Sequence, residues 1–326
     1  MRRRSTPADG GRRRRRGLAA LVAFVVAMPA LAACGDGDGE TGAGTGGPVT
    51  VVANFYPIAE AATRIGGDLV QVTNLTPAGA EPHDIELTTR QVDRMEDADL
   101  VLYLGRGFQP AVEKVAERRD EGKVDLLEEI DLETGAVEAL GEEEGEGPGE
   151  GGADPHFWLD PQLMAEAVDA VAEALVDAAP GHADAFRANA VRYKGDLRAL
   201  DAELRRGLAE CRRREIVTSH AAFFYLARRY ELTQLPIAGL SPEAEPDAGR
   251  LASLTDQIKA KGVTTVFYED LVSPRVARAL AREAGVETAV LSPLEGLSKE
   301  QAGAGKDYIA VMRDNLAALR KALGCQ

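Results

Sequence analysis

From residue 49 onward, short apolar runs alternate with stretches whose apolar positions recur every three or four residues. Residues 49–55, 69–75 and 100–104 are apolar runs bounded by Gly, Pro or acidic residues, and read as buried strands. Residues 58–65, 88–96 and 112–118 have helical periodicity, the first ending at Gly66-Gly67. The second half repeats the theme. Residues 216–219, 235–238, 264–268 and 289–291 read as strands. Residues 221–230, 252–260, 274–283 and 307–323 read as helices, the last stopped by Gly324. Strands alternating with helices predict mostly parallel sheets covered by helices on both faces, an α/β fold. No sequence repeat links the two α/β units.

Between the units the pattern is helical. Residues 161–178 form one helix, stopped by Ala179-Pro180-Gly181. Residues 183–211 then run without proline, long enough for a helix of about 40 Å at 1.5 Å per residue. Such a helix would run along both units; two packed helices broken near Gly195 are the alternative. The expected organisation is an N-terminal lobe at 49–180, a linking helix at 181–211 and a C-terminal lobe at 212–326. Residues 141–152 are acidic and Gly-rich, cannot bury apolar surface, and read as a surface loop.

The N-terminus is a targeting segment. Arg2, Arg3, Arg4 and residues 12–16 are basic, and an apolar run of 17 residues follows at 17–33. Leu31-Ala32-Ala33-Cys34 has the pattern of a bacterial lipoprotein cleavage site. It implies a signal peptide at 1–33 and a Cys34 that is lipidated as the new N-terminus; ordinary signal-peptidase cleavage is the alternative. Two or more acyl chains suffice for stable anchoring. Residues 34–48 are Gly-, Asp- and Thr-rich and read as a flexible tether.

Removing residues 1–33 takes away eight arginines and one aspartate, leaving 30 basic and 52 acidic residues and a net charge of −22. Such a chain is a poor nucleic-acid binder. Cys211 and Cys325 remain besides Cys34. Outside the cytoplasm the pair is a candidate disulfide, contributing roughly 4 kcal/mol or less through loop closure; two buried thiols are the alternative.

Three of the four histidines sit in segments with the look of metal sites: Glu81-Pro82-His83-Asp84, Asp154-Pro155-His156-Phe157-Trp158-Leu159-Asp160-Pro161 and Thr218-Ser219-His220. Neutral imidazole presents a lone pair near pH 7. The wide separation of the three argues against a local zinc finger, so the fold must assemble any shared site. His182, at a helix start, reads as an ordinary surface or core residue rather than a ligand. Asp154 and Asp160 read as turn and cap residues, and Trp158, the single tryptophan, as core.

These segments resemble the substrate-binding lipoproteins of bacterial zinc and manganese ABC importers. Ala53-Asn54-Phe55-Tyr56-Pro57-Ile58, Ala98-Asp99-Leu100-Val101, Ser241-Pro242-Glu243-Ala244-Glu245-Pro246, Phe267-Tyr268-Glu269 and the late helix from Tyr308 to Leu316 also match. The resemblance covers residues 49–324. It implies two α/β lobes joined by a rigid long helix, with the metal between them. His83 and His156 would come from the first lobe and His220 from the second. Where manganese members carry a carboxylate, His220 stands here, and imidazole favours Zn²⁺ over Mn²⁺. The family often has an aspartate ligand in a Leu-Asp-Pro-Leu segment; this chain has Leu291-Ser292-Pro293-Leu294-Glu295. The fourth ligand is therefore open among Glu295, Glu269 and water. The resemblance implies a monomer that captures Zn²⁺ outside the cytoplasm and hands it to an ABC permease. A manganese-specific binder is the nearest alternative. An adhesin or metal-storage lipoprotein is another, and a zinc hydrolase a more remote one. Neither His-Glu-x-x-His nor Gly-x-Ser-x-Gly occurs, and there is no phosphate-binding loop of an ATPase.

Overall fold

The computed structural model describes residues 47–132, 154–244 and 246–326. The expected signal peptide, Cys34, most of the tether and the acidic 141–152 segment lie outside these residues.

The first lobe contains β1 (Val49–Ala53), α1 (Tyr56–Gly66), β2 (Val70–Asn74), α2 (Thr89–Asp97), β3 (Leu100–Tyr103), α3 (Pro110–Ala116), β4 (Lys123–Asp125) and the short α4 (Leu126–Glu129). The strands form one parallel sheet in the order β2-β1-β3-β4. β3 is buried throughout and β1 nearly so, as expected for central strands covered on both faces. Two helices follow, α5 (Pro161–Ala178) and α6 (Ala183–Leu208). The second lobe contains β5 (Glu215–Thr218), α7 (Phe224–Arg229), β6 (Thr233–Pro236), α8 (Ala248–Lys261), β7 (Thr265–Tyr268), α9 (Arg275–Ala284), β8 (Glu287–Val290), α10 (Lys299–Gly303) and α11 (Tyr308–Leu323). Its parallel sheet has the order β6-β5-β7-β8, the same topology as the first.

Helix boundaries follow local chemistry. Thr88 and Gln91 form a capping box at α2. Asp160 caps α5 by accepting from the Gln162 amide at 2.8 Å, and Asp307 caps α11 through the Ala310 amide at 2.8 Å. α6 is a continuous 26-residue helix and Gly195 does not break it. It packs on α1 and α5 of the first lobe and on α11 of the second. Where α11 approaches α6, a Cβ on Gly207 would stand 2.9 Å from a terminal methyl of Leu316, which would have to shift to admit it.

One large buried apolar cluster runs from β1 and α1 through α5 and α6 to α11. Smaller clusters lie beneath α2 and α3, and beneath α8 and α9. The helices that join the lobes therefore share a core with both. Cys211, just past α6, is disulfide-bonded to Cys325, 114 residues on, which excludes the free-thiol alternative. Among the described residues, no helix is long and apolar enough to cross a membrane.

Three short elements, β4, α4 and α10, were not read from the sequence, since β4 has a single apolar residue and α4 and α10 are too short to show two helical turns. α7 begins at Phe224 rather than 221. The chain after His220 is held in a turn instead, with the Ala221 amide on the Gly239 carbonyl at 2.9 Å and the Thr218 hydroxyl on the His220 carbonyl at 2.7 Å.

Candidate metal centre

In both sheets the strand order reverses beside the first strand, between β1 and β3 and between β5 and β7. Ligands of open α/β sheets gather beyond the carboxyl ends of the strands at such a switch point. His220 lies just beyond β5 and Glu269 follows β7 directly. Glu295 is on the loop after β8, and His83 on the loop between β2 and α2. His156 precedes α5 by a few residues.

The structure brings His83, His156, His220 and Glu295 together, one donor atom from each lying within 4.8 Å of all the others. Glu295 Oε1 stands 3.3 Å from His83 Nε2, 3.2 Å from His156 Nε2 and 3.2 Å from His220 Nε2. The two latter nitrogens are 3.4 Å apart. A tetrahedron with metal–ligand bonds of about 2.0–2.1 Å has edges of about 3.3–3.4 Å. Four of the six separations match such an edge, and the remaining two, from His83 to the other histidines, stay within 4.8 Å. His156 and His220 are fully buried, and the side chains of Glu295 and His83 are 2 % and 6 % exposed.

Each of the two fully buried imidazoles, His156 and His220, has a carboxylate behind it. His156 Nδ1 lies 2.5 Å from Asp154 Oδ1, which also accepts from the His156 amide at 2.8 Å. His220 Nδ1 lies 2.7 Å from Glu269 Oε1. With Nδ1–H donated outward, the Nε2 lone pair faces the cluster, an arrangement that fixes ring orientation and raises ligand basicity. Glu269 thus occupies the outer nitrogen of His220, while Glu295 stands among the inner nitrogens. The role of Asp154 was missed from sequence. Its signal was the Asp-Pro-His spacing, which turns the carboxylate back onto the ring two residues later.

The electrostatics follow from this packing. Burial pulls His220 down, but Glu269 and Glu295 outweigh it and hold its pKa well above the usual value. Burial likewise opposes charge on His156, yet Asp154 and Glu295 raise it. His83 has no such surplus: burial dominates and lowers it. Burial would raise Glu295, but His220 and His83 lead a set of contacts that holds it well below the carboxylate range. The arrangement concentrates negative charge where a divalent cation would be compensated.

The surroundings fix the loops. Gln109 donates to the Pro82 carbonyl at 2.9 Å, next to His83. The Gly79 amide reaches across to Leu297 of the second lobe at 2.8 Å. Trp158 is buried with its ring centroid 5.1 Å from that of His156, and its indole N–H donates to the Pro293 carbonyl at 2.8 Å. Leu294, just before Glu295, has φ +56°, a left-handed conformation that costs a non-glycine residue about 1–3 kcal/mol. Ser292 turns its hydroxyl to the Leu294 amide at 3.2 Å. His182 lies outside the cluster, beside Phe186.

The chain has extensive relatives. The family described as zinc-uptake complex component A, periplasmic, matches residues 51–322. The zinc-binding lipoprotein AdcA of Streptococcus pneumoniae (strain TIGR4) is 38 % identical over 283 residues, 84 % of this chain. This chain spans 56 % of that relative's length. The high-affinity zinc uptake system protein ZnuA of Bacillus subtilis is 37 % identical over 312 residues, covering 92 % of this chain and 96 % of its own. The crystal structure of the Zn(II)-bound ZnuA-like domain of S. pneumoniae AdcA superposes with a TM-score of 0.71 at 35 % identity, over 85 % of this chain and 99 % of that one. With the family matched across both lobes, this chain belongs to the family of zinc-uptake complex component A, periplasmic.

Proposed function

We propose that this protein captures Zn²⁺ outside the cytoplasm and delivers it to an ABC-type permease. His83, His156, His220 and Glu295 are the ligands in this reading, and Zn²⁺ is the cargo. The observation that carries it is the cluster of three Nε2 atoms 3.2–3.3 Å from one carboxylate oxygen. Three imidazoles and a single oxygen suit zinc; manganese takes more oxygen ligands. Four protein ligands also close a tetrahedron, whereas catalytic zinc sites keep a position open for water. That supports binding over hydrolysis. The family's place as a component of uptake complexes supports a permease partner. The lipoprotein name carried by AdcA supports a lipid anchor at Cys34, which would hold the protein at the outer face of the cytoplasmic membrane. Asp154 and Glu269 serve as orienting carboxylates.

The test is a competition titration of metal-stripped protein with Zn²⁺ and Mn²⁺ against a chelator of known affinity. One tightly bound Zn²⁺ per chain that Mn²⁺ does not displace is the expected result. Preferential Mn²⁺ binding, or no tight binding of either ion, would overturn the proposal.

A further inference from the structure

Glu295 reaches the cluster from an irregular loop, not from a strand or helix, and its position depends on what holds that loop. Ser292 is gripped on both sides by one side chain of α11. Its amide donates to Asn315 Oδ1 at 2.9 Å, and Asn315 Nδ2 donates to its carbonyl at 2.7 Å. The Ser292 hydroxyl accepts from the Leu294 amide at 3.2 Å, and the Pro293 carbonyl accepts from Trp158 at 2.8 Å. Asn315 is 3 % exposed and Ser292 4 %. The turn that these bonds hold contains Leu294 in its left-handed conformation. L-residues other than glycine leave that conformation readily unless surrounding contacts enforce it.

We propose that Asn315 is a positioning residue for the Glu295 carboxylate, acting through Ser292, with Trp158 bracing the same turn from the first lobe. The inference rests on Glu295 being a zinc ligand. Neither Asn315 nor Trp158 is among the four clustered donors. Their effect is on where Glu295 sits. A glutamate side chain has three free torsions, and it must meet three imidazoles at once with one oxygen. A turn fixed on both sides limits it to that geometry. A loosened turn would let the carboxylate swing and offer both oxygens, which favours ions that prefer oxygen. Trp158 lies two residues from His156, so its bond to Pro293 also joins the segment carrying a first-lobe histidine to the one carrying the second-lobe carboxylate.

A double-mutant cycle tests this. Zinc and manganese affinities are measured by chelator competition for the parent chain, Asn315→Ala, Glu295→Gln and the double variant. Asn315→Ala is expected to weaken zinc about 10- to 100-fold and to narrow the zinc-over-manganese preference. In the Glu295→Gln background the same change should alter zinc affinity by less than about twofold, because the residue it positions is already disabled. Equal effects in both backgrounds would mean a general structural role and would overturn the proposal, as would unchanged affinity in Asn315→Ala. Should Asn315→Ala fail to fold, Trp158→Phe runs through the same cycle, since it keeps an aromatic ring in the core and removes the indole N–H. A parent chain without tight zinc binding sinks the functional reading and this inference together. A parent that binds, is weakened by Glu295→Gln, and shows no coupling sinks the inference alone.

Discussion

Glu269 lies 2.7 Å from Nδ1 of His220, on the opposite side of the ring from Glu295. The imidazole is thereby fixed in one orientation by a carboxylate that stands away from the clustered donors. The two glutamates should then differ in kind when neutralised. Glu269→Gln keeps a hydrogen-bond acceptor at Nδ1 and should weaken zinc about 10- to 100-fold. Glu295→Gln removes the negative donor itself and should weaken it more. His220→Ala should lose most of the affinity. Chelator competition on the three variants checks the order; a Glu269 variant weaker than the Glu295 one would reverse the assignment of roles.

Trp158 is the single tryptophan, and its ring lies 5.1 Å from that of His156. Binding of zinc to His156 would change the charge beside the indole. Titrating metal-stripped protein with Zn²⁺ should therefore change tryptophan emission up to one equivalent and not beyond. The change should vanish in His156→Ala. An emission unaffected by zinc in the parent chain would argue against His156 as a ligand.

Glu60 gives a prediction about pH. It lies on α1, accepts from the Tyr308 amide at 2.9 Å and from the Tyr56 hydroxyl, and its other oxygen is buried without a hydrogen-bond partner among the described residues. Burial raises its pKa above the ordinary 4.5 despite these donors. The folded state therefore holds this proton more tightly than the unfolded chain. Stability falls as pH rises from the unfolded value through the folded one, and the full penalty stands above both. Glu60→Gln keeps an acceptor and never ionises. It should be more stable than the parent at pH 8, with the gap closing toward pH 4.5. Urea melts at the two pH values check it; a variant less stable at pH 8 would show the charge to be favourable.

The Cys211–Cys325 bond lies at the end of α6 and of the chain, not in the loops that carry the cluster. Replacing both cysteines with serine should lower stability by about 2–4 kcal/mol. Zinc affinity of the folded protein should stay within about twofold, since no ligand loop is touched. Denaturant melts and a zinc titration of the double variant separate the two effects. A large loss of affinity would mean that the bond sets the spacing of the lobes.

Much of this molecule is written on the chain. Alternating strands and helices gave two parallel sheets, because a central parallel strand must be apolar on both faces, as β3 is. The long helix was legible because nothing between Ala183 and Leu208 interrupts it. His83 and His156 stood out through their prolines, aspartates and, for His156, a following helix cap, and His220 through its place at the end of a strand. What stayed hidden was which carboxylate faces which nitrogen. Glu269 and Glu295 both end up beside His220. Only the left-handed turn at Leu294 and the position of β7 separate them, and neither has a periodic signature. Asp154 was read as a turn residue because a local hydrogen bond and a ring contact leave the same trace in sequence. β4 was lost because a three-residue edge strand with Lys and Asp at its ends carries too little apolar pattern.

The bond between Cys211 and Cys325 makes the second lobe a covalent ring, and His220, Glu269 and Glu295 all lie inside it. A single peptide cut anywhere within that ring opens the circle without shedding a fragment. A nicked molecule would keep all three side chains on one connected framework. In the proposed setting outside the cytoplasm, a loop of this lobe clipped by a protease would leave the two proposed zinc ligands, His220 and Glu295, and the orienting Glu269 tethered together.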